Sequence, residues 1–229
     1  MLDVKKLHIQ SSSKKLVEIS FKIKSSLALV GQSGSGKTLT LKALLGMLPH
    51  NLHLLLEHSG EFELNKKTVA FVPQNPFTAL SPLTKIKDQF RVSKERSREL
   101  FKLVDLSCEL LESYPPELSG GQLQRAVVAM ELEYQPKLLL LDEPTTALDP
   151  ATTDTVLNLL ARLQKQQEFL MLFVTHDILS AAKLCEDVCV IKEGLVVEYG
   201  TIHSVLKDPK EQYTKTLIEA NFAQRNFRQ

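Results

Sequence analysis

Leu27-Ala28-Leu29-Val30-Gly31-Gln32-Ser33-Gly34-Ser35-Gly36-Lys37-Thr38, followed by Leu41, Leu44, Leu45 and Leu48, is the stretch that decides the fold. The apolar run 27–30 reads as a short buried strand. The leucines fall at i, i+3, i+4 and i+7, the spacing of one helix face, and Pro49 is expected to end that helix. Between them, Gly31 to Thr38 fits G-x-x-x-x-G-K-[ST] in the strand, loop and helix setting that this pattern requires. The glycines let the loop curl so that backbone N–H groups point inward. The helix start adds its positive dipole end, and together they make a cradle for phosphate oxygens. Lys37 is expected to reach the β- and γ-phosphates and the Thr38 hydroxyl to ligate Mg²⁺.

Upstream of the loop, Val17, Ile19, Phe21 and Ile23 alternate with polar residues, the period of a half-buried strand in an antiparallel layer. Downstream, Pro73, Pro76 and Pro82 interrupt the chain, and Leu100, Leu103 and Val104 give a weak helical period before Pro115-Pro116. Residues 76–135 therefore read as a helical insertion. The run Leu138 to Leu141 does not alternate, which suits a buried parallel strand. A helix follows with Val156, Leu159, Leu160 and Leu163 on one face, then a second buried strand over 169–174. A further helix is predicted to carry Ile178, Ala182 and Cys185. Val188 to Ile191 and Leu195 to Tyr199, joined through Lys192-Glu193-Gly194, read as a hairpin. Strands and helices alternate on both sides of the insertion, which predicts an α/β fold: a mostly parallel sheet covered by helices.

Composition narrows the function classes. The chain has 229 residues, enough to bury a sizeable core, with 28 Lys plus Arg against 27 Asp plus Glu, a formal charge of +1. No global field draws it onto nucleic acid or an anionic membrane, so anion binding must be local. Hydrophobic residues make up 43%, which excludes wholesale disorder and collagen-like structure. No apolar run approaches the ~18 residues of a membrane span, and the N-terminal MLDVKK lacks the apolar core of a secretory signal. Cys108, Cys185 and Cys189 form no CxxC pair and suit a reducing compartment, the cytosol by default.

Two further constellations carry chemistry. Leu138 to Leu141 lead into Asp142-Glu143-Pro144. Two acids at the tip of a buried strand are costly unless a cation or a reaction needs them. Asp142 is placed to hold Mg²⁺ and Glu143 is the candidate base for an attacking water. Leu118-Ser119-Gly120-Gly121-Gln122 precedes a helix bearing Leu123, Val127 and Met130. Ser119 can cap that helix and the paired glycines leave backbone donors exposed, giving a second anion-binding helix start. A plain cap and turn accounts for the same residues.

Taken in order, these stretches resemble the nucleotide-binding subunit of an ABC transporter from about residue 16 to 218. Gly31 to Thr38 resembles the Walker A loop, Leu118 to Gln122 the family signature, Leu138 to Glu143 the Walker B strand and Ala147-Leu148-Asp149 the D-loop. Gln74, in Val72-Pro73-Gln74-Asn75-Pro76, resembles the Q-loop glutamine, and His176 the switch histidine. The resemblance implies a P-loop NTPase core with an N-terminal antiparallel β layer and an inserted helical subdomain. On that reading residues 1–229 form a single nucleotide-binding domain, with 76–135 as the nested helical subdomain and 200–229 as a short C-terminal extension. It implies ATP and Mg²⁺ as cofactors, with Gly31, Gln32, Ser33, Gly34, Ser35, Gly36, Lys37 and Thr38 on the nucleotide and Thr38, Gln74 and Asp142 on the metal. Glu143, His176 and Gln74 become the catalytic set. Leu118, Ser119, Gly120, Gly121 and Gln122 would meet the nucleotide of a second ATPase subunit across a head-to-tail dimer, and Asp149 would couple the two sites.

Within that family, VPQNPFTALSP over 72–82, GMLP at 46–49, YPPEL at 114–118, PTTALD at 144–149 and YTKTL at 213–217 look like the peptide and nickel importer group. No aromatic stands ahead of Gly31 where an adenine-stacking ring is usual, His8 and Gln10 being the nearest candidates. The chain also ends at Gln229 without a cysteine-bearing extension. Both features resemble the smaller nickel-importer ATPases. The expected function is therefore ATP-driven import of nickel or a nickel chelate, with a dipeptide or oligopeptide importer as the alternative and an ABC ATPase acting on nucleic acid or ribosomes as a distant one. The implied partners are a sister ATPase or a second copy, two membrane permeases and, indirectly, an extracytoplasmic solute-binding protein, with no nucleic acid. The implied place is the cytoplasmic face of the inner membrane. His50, His53 and His58 are too loosely spaced for a metal site and read as a solvated loop. Cys185 and Cys189 read as buried thiols, and the charged run 94–99 as a wet helix face.

Overall fold

In chain order the elements are β1 (Leu2–Gln10), β2 (Lys15–Ile23), β3 (Ser26–Val30), α1 (Lys37–Leu44), β4 (His53–Gly60), β5 (Val69–Val72), α2 (Lys94–Leu103), α3 (Gly120–Glu131), β6 (Leu138–Asp142), α4 (Pro150–Gln167), β7 (Leu170–Thr175), α5 (Ile178–Ala181), β8 (Asp187–Lys192), β9 (Leu195–Thr201), α6 (Ile202–Lys207) and α7 (Gln212–Asn226). They come from a computed structural model that describes residues 1–226. Residues 227–229 of the expected C-terminal extension lie outside the described residues. The chain divides into two compact units, Lys67–Phe169 and the remainder on either side of it.

In the unit formed by the two ends of the chain, strands run in the order β4-β1-β2-β9-β8-β3-β7. β3 pairs in parallel with β7 and β8, while β1 pairs antiparallel with β2 and β4, and β8 with β9. The alternation predicted over 17–23 is seen: Val17, Ile19, Phe21 and Ile23 are buried. β3 and β7 are buried throughout, as central strands of a parallel sheet must be. The predicted hairpin forms around a two-residue turn, with Glu193 and Gly194 both at positive φ. Two helices stop short of expectation. α1 ends at Leu44, not at Pro49, because Gly46 turns left-handed and the carbonyls of Ala43 and Lys42 accept the N–H groups of Gly46 and Met47. That double bond is the Schellman stop, and it acts three residues before proline can. α5 likewise ends at Ala181, leaving Ala182 as its cap and Cys185 beyond it. The histidine reading is corrected too: His53 and His58 lie on β4, paired with Gln10 and Val4 of β1, not in a loop.

The other unit holds β5 and β6 as a parallel pair with α2, α3 and α4. α4 buries Val156, Leu157, Leu159, Leu160 and Leu163, the predicted face with Leu157 added. α2 is not wholly wet, since Ser97, Leu100 and Phe101 are buried, the last edge-on to Phe90 with ring centroids 5.7 Å apart. Carbonyls at the C-terminal end of α2 and just beyond it lack an intrahelical partner. Arg125 Nη1 donates to the Asp105 carbonyl (2.8 Å) and Arg162 Nη2 to that of Leu103 (3.0 Å), tying α3 and α4 to its end. Short 3₁₀ turns occupy Pro76–Thr78, Ile86–Gln89, Cys108–Glu112 and Pro115–Glu117.

Candidate active site

Strand register sets the site in the first unit. Val30 pairs with Thr175 and with Val190 on the two parallel neighbours of β3, so the loop from Gly31 and the turn carrying His176 leave the sheet side by side at the C-terminal ends of β3 and β7. In open parallel sheets, ligands bind at those ends. Gly36, at φ 105°, is the N-cap of α1, and a Cβ there would sit 2.8 Å from Val17 Cγ2. Having no side chain, it leaves the first turn of α1 without a side-chain cap. Ser35 is buried, and its Oγ has no hydrogen-bond partner among the described residues. Lys37, also buried, folds back along its own loop, its Nζ donating to the carbonyls of Gly31 (2.7 Å) and Gln32 (3.0 Å). Thr38 is exposed. A buried hydroxyl without a partner and an uncapped helix start are donors that phosphate oxygens would satisfy, so these residues fit a nucleotide.

The loop is braced from outside. Gly194 N–H donates to the Ser35 carbonyl (3.0 Å), and Gln32 N–H donates to the Tyr213 hydroxyl (3.0 Å). His176 is exposed on a turn that is itself fixed. Asp177 N–H donates to Thr175 Oγ1, and Asp177 Oδ1 accepts the N–H groups of Leu179 and Ser180.

In the second unit the register does the same work. Val72 pairs with Leu141, so Pro73-Gln74 and Asp142-Glu143 leave adjacent parallel strands together. Gln74 Nε2 donates to Glu143 Oε2 (3.5 Å), and Thr146 Oγ1 donates to the same oxygen (3.1 Å). Glu143 holds φ 43°, a conformation that costs a non-glycine residue free energy and clusters at functional sites. Asp142, half-buried, ends β6.

The helix start at Leu118 to Gln122 and the turn at 147–149 form another cluster of this unit. Ser119 Oγ accepts Gln122 N–H (3.3 Å) while Gln122 Oε1 accepts Ser119 N–H (2.9 Å), a reciprocal cap of α3. Gly121 is a packing requirement: a Cβ there would lie 2.3 Å from Thr152 Cγ2 on α4. Gly120 faces Leu148 at 3.4 Å by the same measure, and Leu118 is buried. Asp149 caps α4, its Oδ1 accepting Thr152 N–H (3.0 Å), and the bonds to Thr152 hold its carboxyl below the usual range.

Elsewhere, His8 lies within β1 with a buried Nε2 that has no partner among the described residues, and Gln10 is exposed at the end of that strand. Cys185 and Cys189 are buried free thiols; burial pushes the Cys189 thiol up to about 12 and Cys185 higher still. Sequence reasoning missed Thr146, Tyr213 and Asn221. Thr146 and Tyr213 stand inside family-like stretches without a role attached. Asn221, one of many polar residues along α7, gives no signal at all.

The family profile for ABC transporters matches residues 15–146. The dipeptide transport ATP-binding protein DppD of Haemophilus influenzae is 33% identical over 96% of this chain and 77% of its own length. The metal-staphylopine import system ATP-binding protein CntD of Staphylococcus aureus is 36% identical over 84% of this chain and 80% of its own. Among solved structures, cbiO1 of Clostridium perfringens, part of the ABC transporter complex cbiONQ, superposes with a TM-score of 0.76 over 90% of each chain at 24% identity, a likeness of fold. The chain belongs to the ABC transporter family, in its peptide and nickel importer group, and is a magnesium-dependent ATPase.

Proposed function

We propose that this chain powers an ABC importer for a peptide-like solute or a metal chelate by closing, with ATP bound, against membrane permeases. Nickel is the narrower form of this reading. The relatives that support the two cargo classes are the dipeptide and the metal-staphylopine proteins. Residues Gly31 to Thr38 take the triphosphate, and Thr38, Gln74 and Asp142 take the magnesium, which when bound neutralises charge on the phosphate oxygens. Glu143 polarises the attacking water and His176 holds its geometry. Leu118 to Gln122 meet the nucleotide of the second ATPase subunit, a sister chain or a second copy, and Asp149 couples the two sites. Nucleotide favours the closed dimer because only that state offers both phosphate sites, and this difference in affinity is the work available for transport.

The single observation that carries coupling is the Gln74–Glu143 bond. Gln74 opens a segment that exposes Phe77 (52%) and Leu83 (88%), so the residue touching the proposed base also begins a stretch with two exposed apolar side chains. We assign these two side chains to the permease contact, since a partner surface needs apolar groups left free for it. Residues 76–135 act as the nested helical subdomain that grips the permease, within one nucleotide-binding domain over 1–229 ending in an extension from 200. No helix among the described residues is long and apolar enough to cross a membrane. In the proposed assembly the chain is held at the cytoplasmic face of the membrane by the permeases. A solute-binding protein outside the membrane is the indirect partner. Phe77→Asp with Leu83→Asp is expected to abolish co-purification with the permeases and solute uptake while leaving ATP binding intact. Retained uptake would refute the docking surface. Uptake of radioactive nickel against a labelled dipeptide, with and without the chain, separates the cargo classes.

A further inference from the structure

α7 touches both elements that leave the C-terminal ends of β3 and β7. Near its start, Tyr213 accepts Gln32 N–H from the phosphate loop. Eight residues on, about 12 Å along a helix, Asn221 reaches the His176 turn. Its Oδ1 accepts Ile178 N–H (2.9 Å) and its Nδ2 donates to the carbonyls of His176 (3.3 Å) and Leu217 (3.0 Å). The orientation of this amide is fixed by chemistry, since the first partner can only donate and the other two can only accept. Asn221 is 9% exposed and continues the buried stripe Thr214, Leu217, Ile218. A leucine has the same heavy-atom branching but would leave the Ile178 N–H without this acceptor, so what asparagine adds there is its bonding to the His176 turn. The tyrosine end is braced as well, with Lys192 Nζ 5.4 Å from the centre of the Tyr213 ring.

We propose that α7 is a strut that sets the spacing between the phosphate loop and His176, with Tyr213 and Asn221 as its positioning residues. Neither touches nucleotide. Tyr213 acts through the backbone of Gln32 and so on the shape of the phosphate cradle. Asn221 acts through the carbonyl of His176 and so on where the imidazole points. The proposal rests on the assignment of His176 to turnover made above, and it predicts that the two ends of one helix affect different kinetic constants.

The test is steady-state ATP hydrolysis by the full chain assembled in its transporter, comparing Asn221→Ala, Asn221→Leu, Tyr213→Phe and His176→Ala, with melting curves for each. Asn221→Leu keeps the number and branching of the side-chain heavy atoms and guards against the cavity left in the alanine variant. The strut predicts that the Asn221 variants lose about tenfold in kcat at unchanged KM, and that Tyr213→Phe raises KM about threefold at unchanged kcat. Parallel loss of both constants in every variant, tracking Tm, would mark a packing role and overturn it. So would wild-type kcat in Asn221→Leu beside a depressed His176→Ala. Wild-type kcat in His176→Ala would instead overturn the assignment of the histidine, and the strut with it.

Discussion

Glu143 is the residue on which turnover should hang. Its carboxylate accepts from Gln74 and Thr146, and its left-handed backbone is held by the Glu143 carbonyl accepting Thr146 N–H (3.2 Å). Glu143→Gln keeps the shape and removes the basicity. Hydrolysis is expected to fall by about 10²-fold or more while ATP affinity is kept, as read by single-turnover assays beside equilibrium nucleotide binding. Unchanged hydrolysis would remove Glu143 from the role of base. Gly121 makes a structural prediction at the same scale. Gly121→Ala drives a methyl into Thr152 Cγ2, and overpacking of this kind costs about 1–3 kcal/mol. Thr152→Ser removes that methyl and should restore much of the loss in thermal melts of the double variant. The acids at 142–143 and the glycine-rich loop were legible because each is a rare residue type at a strand end. Tyr213 and Asn221 were not, because a hydrogen bond from a distant helix leaves no local pattern.

At the scale of elements, α3 has one end in the signature and two acids at the other. Glu131 accepts Phe71 N–H (2.9 Å) and Glu133 accepts Arg91 N–H (3.1 Å). Burial raises the pKa of both carboxyls, with the neighbouring Glu133 adding to the rise at Glu131 and the backbone donors and Arg91 opposing it. A raised native pKa means that the folded chain holds these protons more tightly than the unfolded one. Their contribution to stability is therefore full below the ordinary carboxylate range and is lost as pH rises through the raised values. Glu131→Gln keeps an acceptor for Phe71 and carries no charge to bury. It should melt several degrees above wild type near neutral pH, with the gain vanishing toward pH ~4. A gain that is constant with pH would refute this account. Elements read from period alone came out well where one face is buried, as in β2 and α4. β4 escaped because His53 to Gly60 is mostly exposed and does not alternate. α1 is shorter than its leucine spacing predicts because that spacing continues past Gly46, whose backbone geometry, not its neighbours' hydrophobicity, stops the helix.

For the whole molecule, the order of motifs along the chain made the α/β architecture and the ATPase activity readable, since each motif marks the C-terminal tip of a strand or the start of a helix. Cargo was not readable, because the residues singled out are those proposed for phosphate, magnesium and water, and that chemistry carries no information on a transported solute. The claim on which the rest depends is that two ATPase subunits hold one triphosphate between the glycine-rich loop of one and the serine-led helix start of the other. Ser119 and Gln122 form a closed cap in the isolated chain, and the start of α3 behind it is the proposed anion site. The most direct measurement is a structure of the assembled transporter carrying Glu143→Gln, with ATP and magnesium. The account predicts Ser119 Oγ within hydrogen-bond distance of the γ-phosphate bound by the opposing loop; a closed, nucleotide-loaded dimer with Ser119 remote from every phosphate would contradict it.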